Sequence, residues 1–237
     1  MGNVEEDTFL ITVRKMLSET FNNMKFQSKF LLGTKISMTQ IFDDKGLVHP
    51  VTAIKVGPLT VTAIKTIKTD GYNAVQVGFG DKAPKNINKA QKGQMNGGNY
   101  MYLREFRLPA QAGTEGEPAF KVGDVIDLST FSAGDMVTVS SISKGKGFQG
   151  PVKRHGFKGG PRSHGQKHSE REPGSIGGGG RDGGRVAKGK RMAGRMGGDR
   201  ITSKGLTIVS IKPETSEIFI RGGIPGRRGT LVEVKGF

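Results

Sequence analysis

Outside residues 144–204, the apolar residues of the chain alternate with polar ones or come in short bursts. These segments are rich in β-branched residues and are separated by turn signals such as Gly57–Pro58 and Asp70–Gly71. Short strands at a spacing of roughly 8–12 residues predict an all-β barrel or sandwich. The predicted strands are Phe30–Phe42, Val48–Val56, Leu59–Ile67, Tyr72–Phe79, Phe120–Leu128, Met136–Ile142, Leu206–Ile211, Ile218–Arg221 and Thr230–Val234.

Two stretches break this β pattern. Glu5–Met24 places Phe9, Val13 and Phe21 at a helical spacing, which predicts a helix. Its acidic start does not match a secretory signal, which begins with basic residues and continues with an apolar run. The polar, glycine-rich stretch Asn86–Asn99 predicts a short helix followed by a loop.

Charge is concentrated in one part of the chain. The 237 residues include 37 Lys and Arg and 21 Asp and Glu, a net charge of +16. Residues 144–204 hold 16 of the basic residues, only four acidic ones and 18 of the 38 glycines, while the rest of the chain has a net charge of +4. The segment has few apolar residues, and burying them cannot offset the loss of conformational entropy on ordering the chain. We therefore expect the segment to be extended or disordered until a partner fixes it.

The position of this segment indicates a function. Predicted strands lie on both sides of it, so it leaves and re-enters one domain as a long loop. A structureless loop of this length inside a compact domain is improbable unless it is functional. A strongly basic chain is typical of proteins that bind a polyanion.

Composition also excludes several classes of protein. With no cysteine, the chain has no disulfide framework, no thiolate metal site and no cysteine nucleophile. No apolar run approaches the roughly 18 residues that a membrane-spanning helix needs, so we expect no membrane partner.

Two glycine-rich motifs resemble nucleotide-binding loops. Gly145–Gly150 matches G-x-G-x-x-G, but the dinucleotide site needs a helix at the third glycine, and the following prolines and glycines predict none. Gly184–Arg191 is close to a P-loop, but Arg191 replaces the hydroxyl residue that binds magnesium. Both motifs are better interpreted as flexible basic turns.

Other candidate sites for catalysis are equally incomplete. His164 and His168 have the spacing of two zinc ligands, but Gly165 disfavours the helix that would align them. Ser163 and Ser169 lie near histidine and glutamate, but nothing rigid surrounds them to fix a hydrogen-bonded nucleophile. We therefore expect no enzyme, with no catalytic residue, metal, cofactor or small-molecule substrate.

Lysine and arginine spread among glycines suit binding to folded RNA. Arginine bridges phosphates, and glycine lets the backbone approach them closely. No zinc finger or helix-turn-helix pattern is present, which favours recognition of RNA by shape. A solvated charge run, a free RNA chaperone and a nucleotide-binding enzyme using Gly145–Gly150 are the alternatives. The predicted RNA-binding residues are Lys144, Lys146, Lys153, Arg154, Arg162, Lys167, Arg171, Arg181, Arg185, Lys188, Lys190, Arg191 and Arg195.

A series of motifs, in order along the chain, resembles a known family. These motifs are Gly33–Phe42, Asp70–Val77, Glu105–Leu108, Ser143–Gly150 followed by Arg154, Pro173–Gly177, Lys188–Gly197 and Gly222–Gly226. Together they resemble the family of large ribosomal subunit protein three in its bacterial form.

The resemblance implies a domain organisation. It implies a mainly β fold, with a six-stranded β-barrel like those of translation factors, a small α+β insertion and a long basic, glycine-rich extended loop. The barrel domain would comprise residues 27–143 and 205–237, with the insertion at about 81–118. The extended RNA-binding loop would be 144–204, and residues 1–26 an N-terminal extension that is helical or disordered.

The resemblance also implies a function. Members are non-catalytic constituents of the large ribosomal subunit that bind 23S ribosomal RNA, join early in assembly and extend a loop toward the peptidyl-transferase centre. The implied partners are 23S ribosomal RNA and neighbouring large-subunit proteins, and the implied location is the cytoplasmic ribosome. The loop tip would be Gly177, Gly178, Gly179 and Gly180, where bacterial members commonly carry a glutamine at the position of Gly180.

Overall fold

The computed structural model describes residues 29–95, 97–108, 120–178 and 183–236. The predicted helix in Glu5–Met24 lies outside these residues. The chain divides into two compact units. One contains the residues up to Ser140, Thr202–Ile224 and those from Arg228 onward, and the other contains Ser141–Ile201 and Pro225–Arg227.

The described elements are mostly strands. In chain order they are β1 (Phe30–Phe42), β2 (Val48–Val56), β3 (Leu59–Lys65), α1 (Ile67–Asp70), β4 (Ala74–Asp81), a 3-10 turn (Pro84–Asn86), α2 (Lys89–Gln94), β5 (Tyr100–Arg107), β6 (Val125–Ile126), a 3-10 turn (Leu128–Thr130), β7 (Met136–Ile142), β8 (Phe148–Gln149), α3 (Pro151–His155), β9 (Gly194–Arg195), β10 (Arg200–Lys212), β11 (Glu217–Arg221) and β12 (Leu231–Gly236).

Six strands close into a barrel in the order β1-β12-β7-β10-β11-β2. This confirms the mainly β class and the six-stranded barrel. Closure removes the unpaired sheet edges that would otherwise invite association. Strands β7 and β10 are neighbours in the ring, and the chain between them is the basic loop.

In the hairpin β1–β2, two glycines allow the turn and the close approach of the strands. Its turn is closed where the Gly46 N–H donates to the Asp43 carbonyl oxygen at 2.8 Å, with Gly46 at a φ of 75°. Lower in the same hairpin, a Cβ on Gly33 would lie 2.6 Å from Cγ2 of Ile54. The two strands approach so closely there that only glycine fits.

A second sheet, in the order β5-β4-β3-β6, belongs to the same unit. It shares one buried core with the barrel, because the ring of Phe30 on β1 stacks on Phe106 of β5 with centroids 4.2 Å apart. Burying a side chain of this size stabilises the fold by roughly 1.5–3 kcal/mol. Strand β5 was not predicted, whereas α2 lies inside the predicted Asn86–Asn99 stretch.

A polar network lies on this second sheet. The Lys65 ammonium donates to the Tyr72 hydroxyl and pairs with the Glu105 carboxylate, each at 2.9 Å, and the Tyr72 hydroxyl donates to Glu105. The hydrogen bond from Lys65 lowers the pKa of Glu105 below its ordinary value, although partial burial opposes this. Hydrogen bonds with Tyr72 and Glu105 raise the pKa of Lys65 above its ordinary value.

Several predicted boundaries differ from the structure. Strand β3 ends at Lys65, because Ile67–Asp70 forms one helical turn that ends at Gly71, with a φ of 80°. Only Val125–Ile126 of the predicted strand Phe120–Leu128 pairs. A turn precedes it, in which the Asp124 carboxylate accepts a 2.7 Å hydrogen bond from the Lys121 N–H.

Candidate nucleic-acid interface

The two arms of the basic loop run side by side where the loop begins and ends. The Ser143 N–H donates to the Asp199 carbonyl oxygen at 2.9 Å, and the Asp199 N–H donates to the Ser143 hydroxyl at 3.2 Å. Further along, the Lys146 N–H donates to the Met196 carbonyl oxygen at 2.9 Å. These bonds hold the base of the loop in an antiparallel arrangement.

The short strands β8 and β9 continue this arrangement as a two-stranded ribbon. Phe148 lies opposite Arg195, and Gln149 lies opposite Gly194. The loop therefore has more local structure than the extended or disordered segment predicted from its composition. The reason is that backbone hydrogen bonds between the arms, which composition does not reveal, replace a buried apolar core.

Glycine allows the closest contact between the arms. Gly197 has a φ of 78°, and a Cβ there would collide with the carbonyl oxygen of Lys144 and lie 3.0 Å from the Cα of Gly145. Both the conformation and the space therefore require glycine. The backbone of one arm packs directly against the backbone of the other.

A helix follows Gly150, contrary to the sequence prediction. Helix α3 has Pro151 at its first position and ends at Gly156, which has a φ of 72°. Proline at the start and glycine after the end are the usual signals of a helix, and they were present in the sequence. The prediction was wrong over five residues, because so short a helix has no apolar periodicity. Strand β8 before it belongs to the loop ribbon, so the strand–helix unit of a dinucleotide site is not formed.

Helix α3 places two side chains against the returning arm. The Arg154 guanidinium donates to the Met192 carbonyl oxygen at 2.8 Å, and His155 Nε2 lies 3.0 Å from the same oxygen. Arg154 is half-buried, unlike the other described lysines and arginines of residues 144–204, which are exposed. The predicted RNA-binding residue Arg154 thus uses at least one of its hydrogen-bond donors for a contact within the loop.

A second predicted residue is engaged by an acid. Arg162 pairs with Glu170 at 2.7 Å, with side chains 82% and 44% exposed. An exposed ion pair contributes at most about 1 kcal/mol, so a phosphate can compete for this guanidinium. His164 and His168 lie nearby, and within the described ranges no three His, Cys, Asp or Glu side chains gather as a metal site.

Most of the predicted residues present their charge to solvent. Gly177 and Gly178 of the predicted tip are also exposed, whereas Gly179, Gly180 and Arg181 lie outside the described residues. The exposed predicted cations are Lys144, Lys146, Lys153, Arg162, Lys167, Arg171, Arg185, Lys188, Lys190, Arg191 and Arg195. Many solvent-exposed cations on a glycine-rich segment are suited to binding phosphates.

Comparison with known proteins decides the family. Residues 119–221 match the family described as Ribosomal protein L3. The chain is also similar to the large ribosomal subunit protein uL3 of Roseiflexus sp. (strain RS-1), with 49% identity over 207 residues that cover 86% of this chain and 95% of the relative. The chain belongs to the ribosomal protein L3 family. The resemblance found in the sequence motifs is therefore confirmed.

Membership of the L3 family fixes the general role of the molecule. It is a protein of the large ribosomal subunit, associated with ribosomal RNA and ribosomal proteins, and it is structural rather than enzymatic. The nucleotide-binding enzyme considered from Gly145–Gly150 is thereby excluded. Across the described ranges, no helix is long and apolar enough to cross a membrane.

Sequence reasoning left several residues out of the candidate site of this L3-family protein, among them the exposed loop cations Arg200 and Lys204. Phe148 is 73% exposed at the start of the ribbon, and Lys158 is an exposed cation between α3 and Arg162. Arg227 is distant in sequence, but Pro225–Arg227 belongs to the same compact unit as the loop. The basic pair Arg227–Arg228, directly after the family motif Gly222–Gly226, was the available signal.

Proposed function

We propose that the chain binds 23S ribosomal RNA through the extended loop 144–204 and thereby helps to fold the large subunit. The observation that carries this proposal is the exposure of nearly every described lysine and arginine of the loop. The arms are held together largely by backbone bonds, as between Lys146 and Met196, so the charges of exposed side chains such as Lys144 and Lys188 face solvent. Acidic residues are few, which leaves little internal neutralisation.

The order of assembly and the reach of the loop belong to the same proposal. Similarity to the L3 family supports joining early in assembly, and neutralisation of phosphates by the many cations would reduce the repulsion between RNA helices at that stage. A narrow, glycine-rich arm enters crevices between packed helices that a globular face cannot enter. Similarity to the L3 family, rather than this shape alone, supports a position of the tip, Gly177–Gly180, toward the peptidyl-transferase centre.

A paired charge-removal experiment tests the site. In both variants five exposed lysines or arginines become glutamine, so the net charge falls equally. The loop variant changes Lys144, Lys146, Lys188, Lys190 and Arg191, and the control changes Lys45, Lys85, Lys89, Lys92 and Lys121.

Each variant is expressed with a tag as the full chain, and its sedimentation with large subunits is followed through a high-salt wash. We expect the loop variant to wash off or to stay at the top of the gradient, and the control to remain bound. Equal retention of the two variants overturns the proposed site. Equal affinity of the wild-type chain for 23S and random RNA at physiological salt points to a free RNA chaperone instead.

A further inference from the structure

Phe148 is the most exposed large apolar side chain of the described residues, at 73%. Within those residues its ring makes no aromatic stacking or cation–π contact. Leaving an aromatic ring in water forgoes the stabilisation that burial would supply. Single exposed apolar residues are common on protein surfaces. Exposure alone therefore does not indicate a binding site, and the residues around Phe148 must be considered.

The setting of Phe148 is a fixed ribbon with a cation on the same face. Phe148 on β8 lies directly opposite Arg195 on β9, and side chains of directly opposite residues share one face of a two-stranded ladder. Arg195 is exposed, as is Lys146 two residues before Phe148. The ladder register therefore places the ring on the same face as Arg195, and Lys146 is a second cation nearby in the chain.

This combination matches the chemistry of an unpaired nucleobase. A base stacks on an aromatic ring whatever its identity, and the attached phosphate seeks a cation beside it. A purely apolar partner would leave the charge of Arg195 without a counter-ion, whereas a nucleotide supplies both a base and a phosphate. We propose that Phe148 stacks on an unpaired base of ribosomal RNA, while Arg195 binds that nucleotide's backbone phosphate. This inference rests on the proposed function of the loop and adds a base-binding site to it.

Phe42 provides a matched control within the same chain. It is 62% exposed at the end of β1, and it also lies in a two-stranded hairpin, opposite Val48. Its neighbours along the chain are Asp43 and Asp44, which repel phosphate. The two phenylalanines thus share exposure and local geometry but differ in the charge that surrounds them.

The absence of tryptophan from the chain makes a direct test possible. In Phe148→Trp and in Phe42→Trp, the introduced indole is the only one, and its emission reports stacking by a base. Each full-length variant is titrated with a 23S ribosomal RNA transcript. We expect the Phe148→Trp variant to lose its indole emission along the binding curve and the Phe42→Trp variant to keep it. Unchanged emission of the bound Phe148→Trp variant, or equal quenching of both variants, overturns the inference.

Affinity measurements provide a second readout. Loss of one base stack in Phe148→Leu should weaken RNA binding about 5- to 150-fold, and Phe148→Tyr should retain affinity. Because stacking is not electrostatic, Phe148→Leu should leave the salt dependence of binding unchanged. Arg195→Gln should weaken that salt dependence by about one phosphate contact. Thermal unfolding should be unaffected in Phe148→Leu, since the ring is exposed.

The outcomes separate this inference from the proposal on which it rests. If the wild-type chain fails to bind the transcript, the proposed function of the loop fails. If the wild type binds and Phe148→Leu binds equally well, only the base-stacking inference fails. If Phe148→Leu binds RNA normally but no longer associates with assembled subunits, the ring contacts a protein, and the inference is again wrong.

Discussion

The guanidinium of Arg154 holds the carbonyl oxygen of Met192 at 2.8 Å, although the two residues are 38 positions apart in the chain. The contact joins helix α3 on the outgoing arm to the returning arm just before β9. Arg154 therefore contributes to the shape of the loop, by joining its two arms, as well as to its positive charge.

Replacing Arg154 by alanine should therefore loosen the loop. A hydrogen bond from a charged donor contributes about 1.5–3 kcal/mol, and its loss weakens the attachment of the returning arm to α3. We expect faster amide hydrogen exchange at Lys146 and Met196, whose N–H groups bond across the arms. The neighbouring exposed residue supplies the control, since Lys153→Ala removes the same charge without touching Met192. Equal exchange in the two variants would contradict this role.

Gly197→Ala should disrupt the base of the loop more than Gly198→Ala. Both glycines have positive φ angles, 78° and 75°, so either alanine is strained. Only at Gly197 does the new Cβ also meet the Lys144 carbonyl oxygen, whereas nothing lies within 4 Å at Gly198. We expect a loss of about 1–3 kcal/mol of local stability from strain at both sites and a further loss at Gly197. Hydrogen exchange of the Ser143 and Lys146 amides measures the difference, and identical profiles would refute it.

Acid should weaken the second sheet through Glu105. Its pKa is lowered in the folded state, so its pairing stabilises the fold above the ordinary carboxyl pKa of about 4.3. That stability is lost as the pH falls through the folded-state value. Glu105→Gln should lower the free energy of unfolding at pH 7 by about 0.5–1 kcal/mol and flatten its decline below about pH 4. Denaturant unfolding at several pH values tests this, with the exposed Glu214→Gln as control. Parallel curves for wild type and Glu105→Gln would exclude the network as the cause.

Salt should weaken RNA binding steeply if the loop neutralises about ten phosphates. The slope of log affinity against log salt is then roughly −7 to −9. The five-charge loop variant described above should lose about half of that slope, and the control variant of equal charge should keep it. Filter binding at several salt concentrations supplies both slopes. A shallow slope for the wild-type chain would show that few of the exposed cations reach phosphate.

Much of the barrel could be predicted from sequence, because its strands are marked by alternation and by turn residues. The bounds of β1, β2 and β7 agree with the prediction, each being a β-branched segment next to clear polar or glycine signals. The structure places the start of β10 at Arg200, within the segment predicted as loop. Apart from Ile201, its first residues are polar, and they are held partly by side-chain pairing, as between Thr202 and Ser140 at 2.8 Å.

The elements that sequence reasoning missed depend on contacts between distant residues. Strand β5 carries Arg104 and Glu105, whose charges weaken the strand signal in the sequence, and it forms because it pairs with β4 from Ala74 opposite Arg107 to Asp81 opposite Tyr100. Strands β8 and β9 have two residues each, too few for any periodicity. The exposed cations of the loop were recognised from composition alone. The hydrogen bond from Arg154 to Met192 could not be predicted, because no residue near Arg154 in the sequence indicates a contact with Met192.

The ring order of the barrel has a consequence for the newly made protein. Strand β7 has its neighbour β10 only after the whole basic loop has been synthesised, and closure also waits for β11 and β12. The emerging polypeptide therefore presents its cationic loop before the strands that complete the barrel have been made, so the loop is available to polyanions while the barrel is still open.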